Sequence, residues 1–320
     1  MRIAIDAMGG DKAPDVVIEA LKDLKIDAEL VAVGKKEVLE SRIENAEIVD
    51  APEVIGMDEH PLKAIREKKE SSIVKGVKLI KEGKADAFLG AGNTGAYVAA
   101  ATLMLGRIKG VIRPALGTFF PTVKGYTLVV DVGANSECKP EHLLQFGIMG
   151  SIFYGIVFEK ENPTVGLLSI GEEDIKGSSL SKKAFELLKD SGLNFIGNVE
   201  GHQILYGVSD VVVCDGFVGN AILKFGESIV EIIFNHIKNA SKSSFRGMLG
   251  AILLKPSLKE LAKRMDYEEY GGALLMGVNG IVIICHGRSS PRAIRNAIKM
   301  AYNLCKMQIN KKIEERLCTN

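Results

Sequence analysis

The chain has 320 residues, no tryptophan, and five cysteines: Cys138, Cys214, Cys285, Cys305 and Cys318. They are odd in number and scattered, and they form no C-x-x-C pair, which argues for a reducing compartment and against structural zinc. The five histidines lack metal-ligand spacing too, so no metal site is expected. Neither sign of charge is in excess. The formal net charge is +1, so no global field draws nucleic acid or membrane. No uninterrupted apolar run approaches the ~18 residues of a membrane span. The start, Met1-Arg-Ile-Ala-Ile-Asp6, puts a carboxylate where a secretory signal needs apolar residues. Internal repeats, low-complexity tracts and interdomain linkers are all missing. The expectation is a soluble cytoplasmic protein, residues 1–320 forming one α/β unit, with any attraction to a surface confined to a local patch.

What is present is alternation. Short apolar runs at Arg2–Ile5, Leu30–Val33, Asp86–Leu89, Tyr126–Val130, Val165–Ser169, Val211–Val213 and Gly280–Cys285 read as strands. Amphipathic or apolar helices lie between most of them. One helix is predicted over Leu62–Glu82 and another from Pro291 to about Leu317. Arg113–Pro121 reads as a proline-bounded strand followed by a hairpin at Lys124-Gly125. The sum is a largely parallel sheet with helices on both faces and some antiparallel pairing.

The stretch around which the rest is organised is Ala85–Leu105. It reads as a short strand, a glycine turn from Gly90 to Gly95, and an apolar helix. That geometry aims backbone N–H groups at an anion. Thr94 is expected to cap the helix, and Asn93 to tolerate a left-handed conformation in the turn. The turn is formally G-x-G-x-x-G, but no Asp or Glu occurs from Gly90 through Val130. A dinucleotide site wants an acid about 20 residues on. The turn is therefore either a phosphate cradle or an ordinary tight strand-to-helix turn.

Ligands in such sheets bind beyond the carboxyl ends of the strands. Glycine loops stand there at Asp6–Asp11, Gly90–Gly95, Asp131–Asn135, Gly171–Gly177, Asp215–Asn220 and His286–Ser290, and they are expected to face one rim. Asp6, Asp131 and Asp215 either cap their turns or orient Lys176 or His286. Lys176 is either the cation of an anion site or part of a solvated cluster with Glu172, Glu173 and Asp174. His286 either donates to a ligand or is a rim histidine. Cys214 and Cys285 read as inert core thiols. A basic amphipathic segment at 241–269 carries Arg246, Lys255, Lys259 and Lys263 among apolar residues such as Leu253 and Leu254. It suits an anionic membrane surface, an acidic protein partner or a helix pair in a dimer.

Taken together and in order, the motifs Asp6-Ala-Met-Gly-Gly-Asp11, Gly90-Ala-Gly-Asn-Thr-Gly-Ala96, Asp131-Val-Gly-Ala-Asn135, Ile170-Gly-Glu-Glu-Asp-Ile-Lys-Gly177, Cys214-Asp-Gly-Phe-Val-Gly-Asn220 and Tyr270-Gly-Gly-Ala273 through His286-Gly287 closely resemble the bacterial phosphate acyltransferase family called PlsX. The likeness spans essentially the whole chain. Many relatives carry Ser where this chain has Cys285 and Asp where it has Glu137.

The resemblance implies a three-layer α/β/α fold like that of the isocitrate and isopropylmalate dehydrogenases, without their nicotinamide or any other cofactor. It implies acyl transfer from acyl-acyl carrier protein to inorganic phosphate. A homodimer, peripheral membrane association and a product used by a membrane glycerol-3-phosphate acyltransferase are implied as well. Lys176, His286 and Asp215 are then expected at the chemistry. Asp6, Gly92, Asn93, Thr94, Gly95, Asn135, Gly171 and Asn220 are expected around phosphate or substrate. Arg246, Leu253, Leu254, Lys255, Lys259 and Lys263 are expected to dock membrane or carrier protein. The competing readings are a coenzyme A-dependent phosphate acyltransferase, a non-catalytic acyl- or phosphate-binding regulator and, third, a nicotinamide dehydrogenase.

Overall fold

Short runs of Val, Ile, Leu and Ala closed by glycine or aspartate become the strands of one sheet. The computed structural model describes residues 1–22, 24–242, 245–264 and 267–318, with the side chains of 231, 245, 246, 261–264 and 267 outside the description. The strands are β1 (Arg2–Asp6), β2 (Glu29–Gly34), β3 (Glu47–Asp50), β4 (Ala87–Gly90), β5 (Ala115–Thr122), β6 (Gly125–Val130), β7 (Thr164–Ser169), β8 (Asn194–Glu200), β9 (Val211–Val213), β10 (Ala273–Met276) and β11 (Ile281–Ile284). The helices are α1 (Asp15–Lys22), α2 (Lys36–Leu39), α3 (Pro61–Glu67), α4 (Ser72–Lys81), α5 (Thr94–Met104), α6 (Pro140–Phe158), α7 (Ser179–Lys189), α8 (Gly201–Tyr206), α9 (Gly216–Lys242), α10 (Phe245–Arg264), α11 (Pro291–Lys306) and α12 (Ile309–Cys318).

The eleven strands lie in the order β3-β2-β1-β4-β11-β10-β5-β6-β9-β7-β8. Pairing is parallel except at the centre, where β10 runs against both β11 and β5, and β5 runs against β6. The largely parallel sheet and the Lys124-Gly125 hairpin are therefore as expected. The centre was not: β10, bracketed by Gly271-Gly272 and Gly277, is too short to show a period of its own.

The antiparallel centre makes the two parallel halves run in opposite senses. Register then decides where their ends fall. Val130, the last residue of β6, is level with Gly117, then Leu274, Ile283, Leu89 and Ile5 across the sheet. Val213, the last residue of β9, is level with Val130. The carboxyl ends of both halves thus meet at one level from opposite directions. Instead of one rim, the loops form two rims facing each other across a step in the sheet. The rest of β5, from Thr118 onward, runs past the step alongside β6 and becomes its floor.

Each face of the sheet has its own core. On one face α1, α6, α7, α11 and α12 cover Ile3, Ile5, Leu128, Val130 and Ile283. On the other, α3, α4, α5, α8 and the start of α9 cover Phe88, Val129, Val212, Leu275 and Val282. Three layers result. By length and composition α6 could cross a membrane, but half of that apolar stretch is buried here, where α6 packs on β6 and β9.

Two helices predicted as continuous are broken. Between α3 and α4, Ser71 takes an extended conformation and accepts from the Val74 N–H, starting a new helix. Lys68 Nζ meanwhile donates to the Val54 carbonyl and to Glu59. Charge patterning continues through that break and hides it. Between α11 and α12 the chain turns at Gln308, with φ of 52°, and no glycine or proline marks the place.

Candidate active site

Strands β1, β4 and β11 are neighbours, so their three turns emerge side by side. They interlock through backbone. Asp11 N–H donates to the Gly287 carbonyl at 2.8 Å. Gly9 rests so closely on Gly92 that a Cβ there would stand 2.7 Å from the Gly92 nitrogen. Beneath them Asp6 is buried, and its Oδ1 accepts from Met8 and Gly9 N–H at 2.8 and 3.1 Å. Its Oδ2 accepts from the Tyr97 hydroxyl at 2.7 Å. Burial raises the Asp6 carboxyl above the usual carboxylate value, against the pull of those donors. Asp6 is thus a strut under the turns, the capping alternative, and does not line the cavity above them.

The glycine turn differs from expectation in its cap. Asn93, not Thr94, is the N-cap of α5, with Oδ1 accepting from Ala96 N–H at 3.0 Å. Its Nδ2 donates to the carbonyls of Gly56, Met57 and Glu59 at 3.1, 3.2 and 3.0 Å. An amide side chain can accept at one end and donate at the other, which a hydroxyl on Thr94 could not match here. Thr94 is the first helical residue. Its N–H and that of Gly95 lie in the first turn, where no intrahelical acceptor exists.

The facing rim is built on Asp131. Its Oδ1 accepts from Leu116, Gly133 and Ala134 N–H at 3.0, 3.2 and 3.0 Å. Its Oδ2 accepts from Asn135 N–H and Nδ2 at 2.7 and 2.9 Å. Burial raises this carboxyl also, opposed by the same donors. Asn135 Nδ2 reaches the Pro114 carbonyl at 2.7 Å as well, so Asn135 is a brace. Asp215 Oδ1 accepts from Val218 N–H at 3.0 Å and starts α9. Gly219 lies directly on the Asp131 carbonyl, where a Cβ would come within 1.8 Å. That contact sets Asn220 on the cavity side of α9.

Between the rims lies a cavity of about 510 Å³. Thr94, His286 and Ser289 border it from the first half-sheet, and Asn220, Lys224 and Glu227 from α9. Its floor is Leu116, Thr118, Phe119 and Phe120 of β5, and its walls include Ile204, Leu205, Ile222, Leu223 and Ile229. The pocket is mostly apolar, and Lys224, Glu227 and His286 stand together on its border.

Of the residues singled out from sequence, Thr94, Asn220 and His286 are brought together around this cavity. Asp6, Gly92, Asn93, Gly95, Asn135 and Asp215 build the turns that carry them. Lys176 and Gly171 stand on the second rim in the loop after β7, outside the cavity lining. Gly171 is buried, and the Lys176 stem lies close over it: a Cβ on Gly171 would meet Lys176 Cγ at 3.1 Å. Burial pushes the Cys285 thiol up to about 12 and the Cys214 thiol well above its usual value, so both are inert, as expected.

Among the cavity residues that escaped the sequence reading are Lys224 and Glu227. Lys224 Nζ lies 3.0 Å from Glu227 Oε2 and 3.3 Å from His286 Nε2. The signal available was spacing: Asn220, Lys224 and Glu227 recur at helical intervals on one face of α9.

Leu253, Leu254, Lys255 and Lys259 are exposed on α10, which pairs with α9. The side chains of Arg246 and Lys263 lie outside the described residues. Ile232 and Ile233 of α9, with Leu249 and Ile252 of α10, add to an exposed apolar surface.

The architecture is a three-layer α/β/α fold found both in phosphotransacylases and in 4-hydroxythreonine-4-phosphate dehydrogenases. A phosphotransacetylase from Streptococcus pyogenes shares it with a TM-score of 0.60 at 17% identity, over 96% of this chain and 94% of that one. A 4-hydroxythreonine-4-phosphate dehydrogenase from Klebsiella pneumoniae shares it with a TM-score of 0.54 at 11% identity, over 95% and 97%. At such identities the likeness is one of fold. Residues 1–312 match the family described as fatty acid synthesis protein, and the chain belongs to it. A curated relative from Thermodesulfovibrio yellowstonii, a phosphate acyltransferase, is 46% identical over 99% of this chain and 94% of its own length.

Proposed function

We propose that this protein is a phosphate acyltransferase that moves an acyl group from the thioester of acyl-acyl carrier protein to inorganic phosphate. The acyl phosphate formed would feed phospholipid synthesis through a membrane glycerol-3-phosphate acyltransferase. The observation that carries this reading is the mostly apolar cavity between two glycine-rich rims, with Lys224, Glu227 and His286 together on its border. The family supports acyl transfer to phosphate.

The chemistry asks little of the protein beyond placement. Phosphate is already anionic and nucleophilic, and a thiol of pKa about 8.5 is a reasonable leaving group. No protein nucleophile or hydride carrier is needed. Holding phosphate against the acyl carbon supplies most of the acceleration. The first-turn N–H groups of Thr94 and Gly95, with Asn220 opposite, hold the phosphate. Lys176, on the second rim, offsets its charge. His286 donates to the developing oxyanion or the departing sulfur.

The exposed apolar faces of α9 and α10 join two copies into a homodimer, and the basic residues Lys255 and Lys259 meet acidic carrier protein or an anionic membrane. Leu253→Glu should abolish sedimentation with anionic vesicles while leaving turnover in solution intact. Loss of both together would assign this surface to assembly instead.

The activity is tested by incubating the protein with phosphate and either acyl-acyl carrier protein or acyl-coenzyme A, trapping acyl phosphate with hydroxylamine. Product from the carrier protein thioester is expected. Product from coenzyme A alone would favour the coenzyme A-dependent reading. Tight binding with no product would favour a non-catalytic regulator.

A further inference from the structure

We infer that Lys224 and His286 form one two-donor site for the carbonyl oxygen of the thioester, with Glu227 positioning Lys224. This rests on the acyl-transfer reading above and assigns a residue pair to its transition state.

Three observations lead there. First, His286 Nδ1 lies 3.1 Å from the Arg288 backbone N–H. A backbone N–H can only donate, so Nδ1 accepts, and the neutral ring carries its proton on Nε2. Second, Nε2 lies 3.3 Å from Lys224 Nζ, so an N–H and an ammonium converge as donors. One oxygen can sit about 2.8 Å from each of two donors so spaced, which is ordinary charge-assisted hydrogen-bond geometry. Third, Glu227 Oε2 stands 3.0 Å from Lys224 Nζ and 3.6 Å from His286 Nε2. The carboxylate therefore holds Lys224 directly, with the His286 ring beside it at the cavity border.

The placement matches the chemistry. Lys224 is one helical turn beyond Asn220, and His286 is on the turn after β11, beside the turn that leads into Thr94. Phosphate held at Thr94 and Asn220 has the donor pair as its neighbour, and all four residues border the same cavity. A phosphate oxygen adds to the thioester carbon and forms the new C–O bond. The π electron pair moves onto the carbonyl oxygen, where Lys224 and His286 meet it. When that pair returns, the C–S bond breaks and its electrons leave on the thiolate. Neither donor loses its proton, so no further reactant is required. The ground-state carbonyl carries little charge, so the pair acts chiefly on the transition state.

The test is steady-state kinetics of the whole protein with acyl-acyl carrier protein and phosphate. Lys224→Met should lower kcat by about 100-fold, the usual loss for one oxyanion donor, with the phosphate KM moving less than about threefold. The milder Lys224→Gln should show the same split, and covers the case in which Lys224→Met alters folding. His286→Phe combined with Lys224→Met should cost little more than either alone, because the two act on one atom. Glu227→Gln should lower kcat by about tenfold without raising either KM, and Glu227→Asp should recover part of the loss. Wild-type kcat in both Lys224 variants, or a raised phosphate KM with kcat intact, overturns the assignment. Failure of the unaltered protein to make acyl phosphate from any donor overturns the activity itself, and is seen before any variant is assayed.

Discussion

The Tyr97 hydroxyl donates to Asp6 Oδ2 at 2.7 Å, with both side chains buried beneath the turns after β1 and β4. The bond favours the ionised Asp6 carboxylate and makes the Tyr97 hydroxyl harder to ionise. Burial, with the Asp6 charge second, pushes the Tyr97 hydroxyl well above its ordinary value. Burial likewise raises Asp6. A carboxyl raised in the fold stabilises the native state below its unfolded value, about 3.9, and that contribution is lost as pH climbs through the folded value. Asp6→Asn mimics the protonated form and removes the titration. The thermal midpoint of Asp6→Asn minus that of wild type should therefore rise from about pH 4 to pH 7. Asp131 titrates in both proteins and cancels. A difference that stays flat or falls with pH counts against this account.

Asn93 is the second test. Asn93→Ala removes the cap of α5 and three hydrogen bonds from one amide group to the 56–59 segment. The cap alone is worth about 1–2 kcal/mol. Urea denaturation should show at least that loss, and phosphate affinity should fall with it. Thr94→Val, which leaves the cap in place, should stay within about 0.5 kcal/mol of wild type.

Gly219→Ala examines how α9 is seated. The new methyl would fall 1.8 Å from the Asp131 carbonyl oxygen, which is backbone and cannot swing away. Overpacking costs about 1–3 kcal/mol and here should reach the top of that range or exceed it. A lowered thermal midpoint, together with lost turnover as Asn220 and Lys224 are carried off the rim, is expected.

The width of the cavity is set in part by Gly226, where a Cβ would meet only Phe120 Cε1, at 3.7 Å. A larger side chain can enter there without touching backbone. Gly226→Leu should reduce kcat/KM for long acyl donors by about tenfold or more while sparing short ones, since each excluded methylene forfeits about 0.8 kcal/mol of burial. Equal loss for all chain lengths would place the acyl chain elsewhere.

Much of this was legible in the chain. The alternation of strand and helix, the glycine turn, the hairpin at Lys124-Gly125 and the inert thiols follow from period, turn chemistry and apolar context. Strand direction does not. Beyond the hairpin that sets β6 against β5, nothing in the pattern of β6 says that it also runs against β11, so loops read as one rim are two rims in opposition. Thr94 was read as the cap and Asn93 as a left-handed turn residue because both types cap helices; Asn93 is instead the extended cap, with φ of -60°, and only the 56–59 segment, distant in sequence, selects the amide. Lys224 and Glu227 passed unnoticed because charges four and seven residues past Asn220 look like a solvated face until His286 arrives from another strand. Lys176 was found by its glycine-rich loop, a signal that places it on a rim and says nothing of its reach.

The hairpin of β10 and β11 is a wedge between β4 and β5, and it is the only link in the sheet between the two halves among the described residues. A growing polypeptide therefore holds two unjoined partial sheets, each with a bare apolar border, until its last quarter has left the ribosome. Such borders invite pairing with other chains, and closure must wait on contacts between residues some two hundred positions apart, such as Leu89 and Ile283. The seam at which phosphate and thioester would meet is thus the last part of the sheet to close.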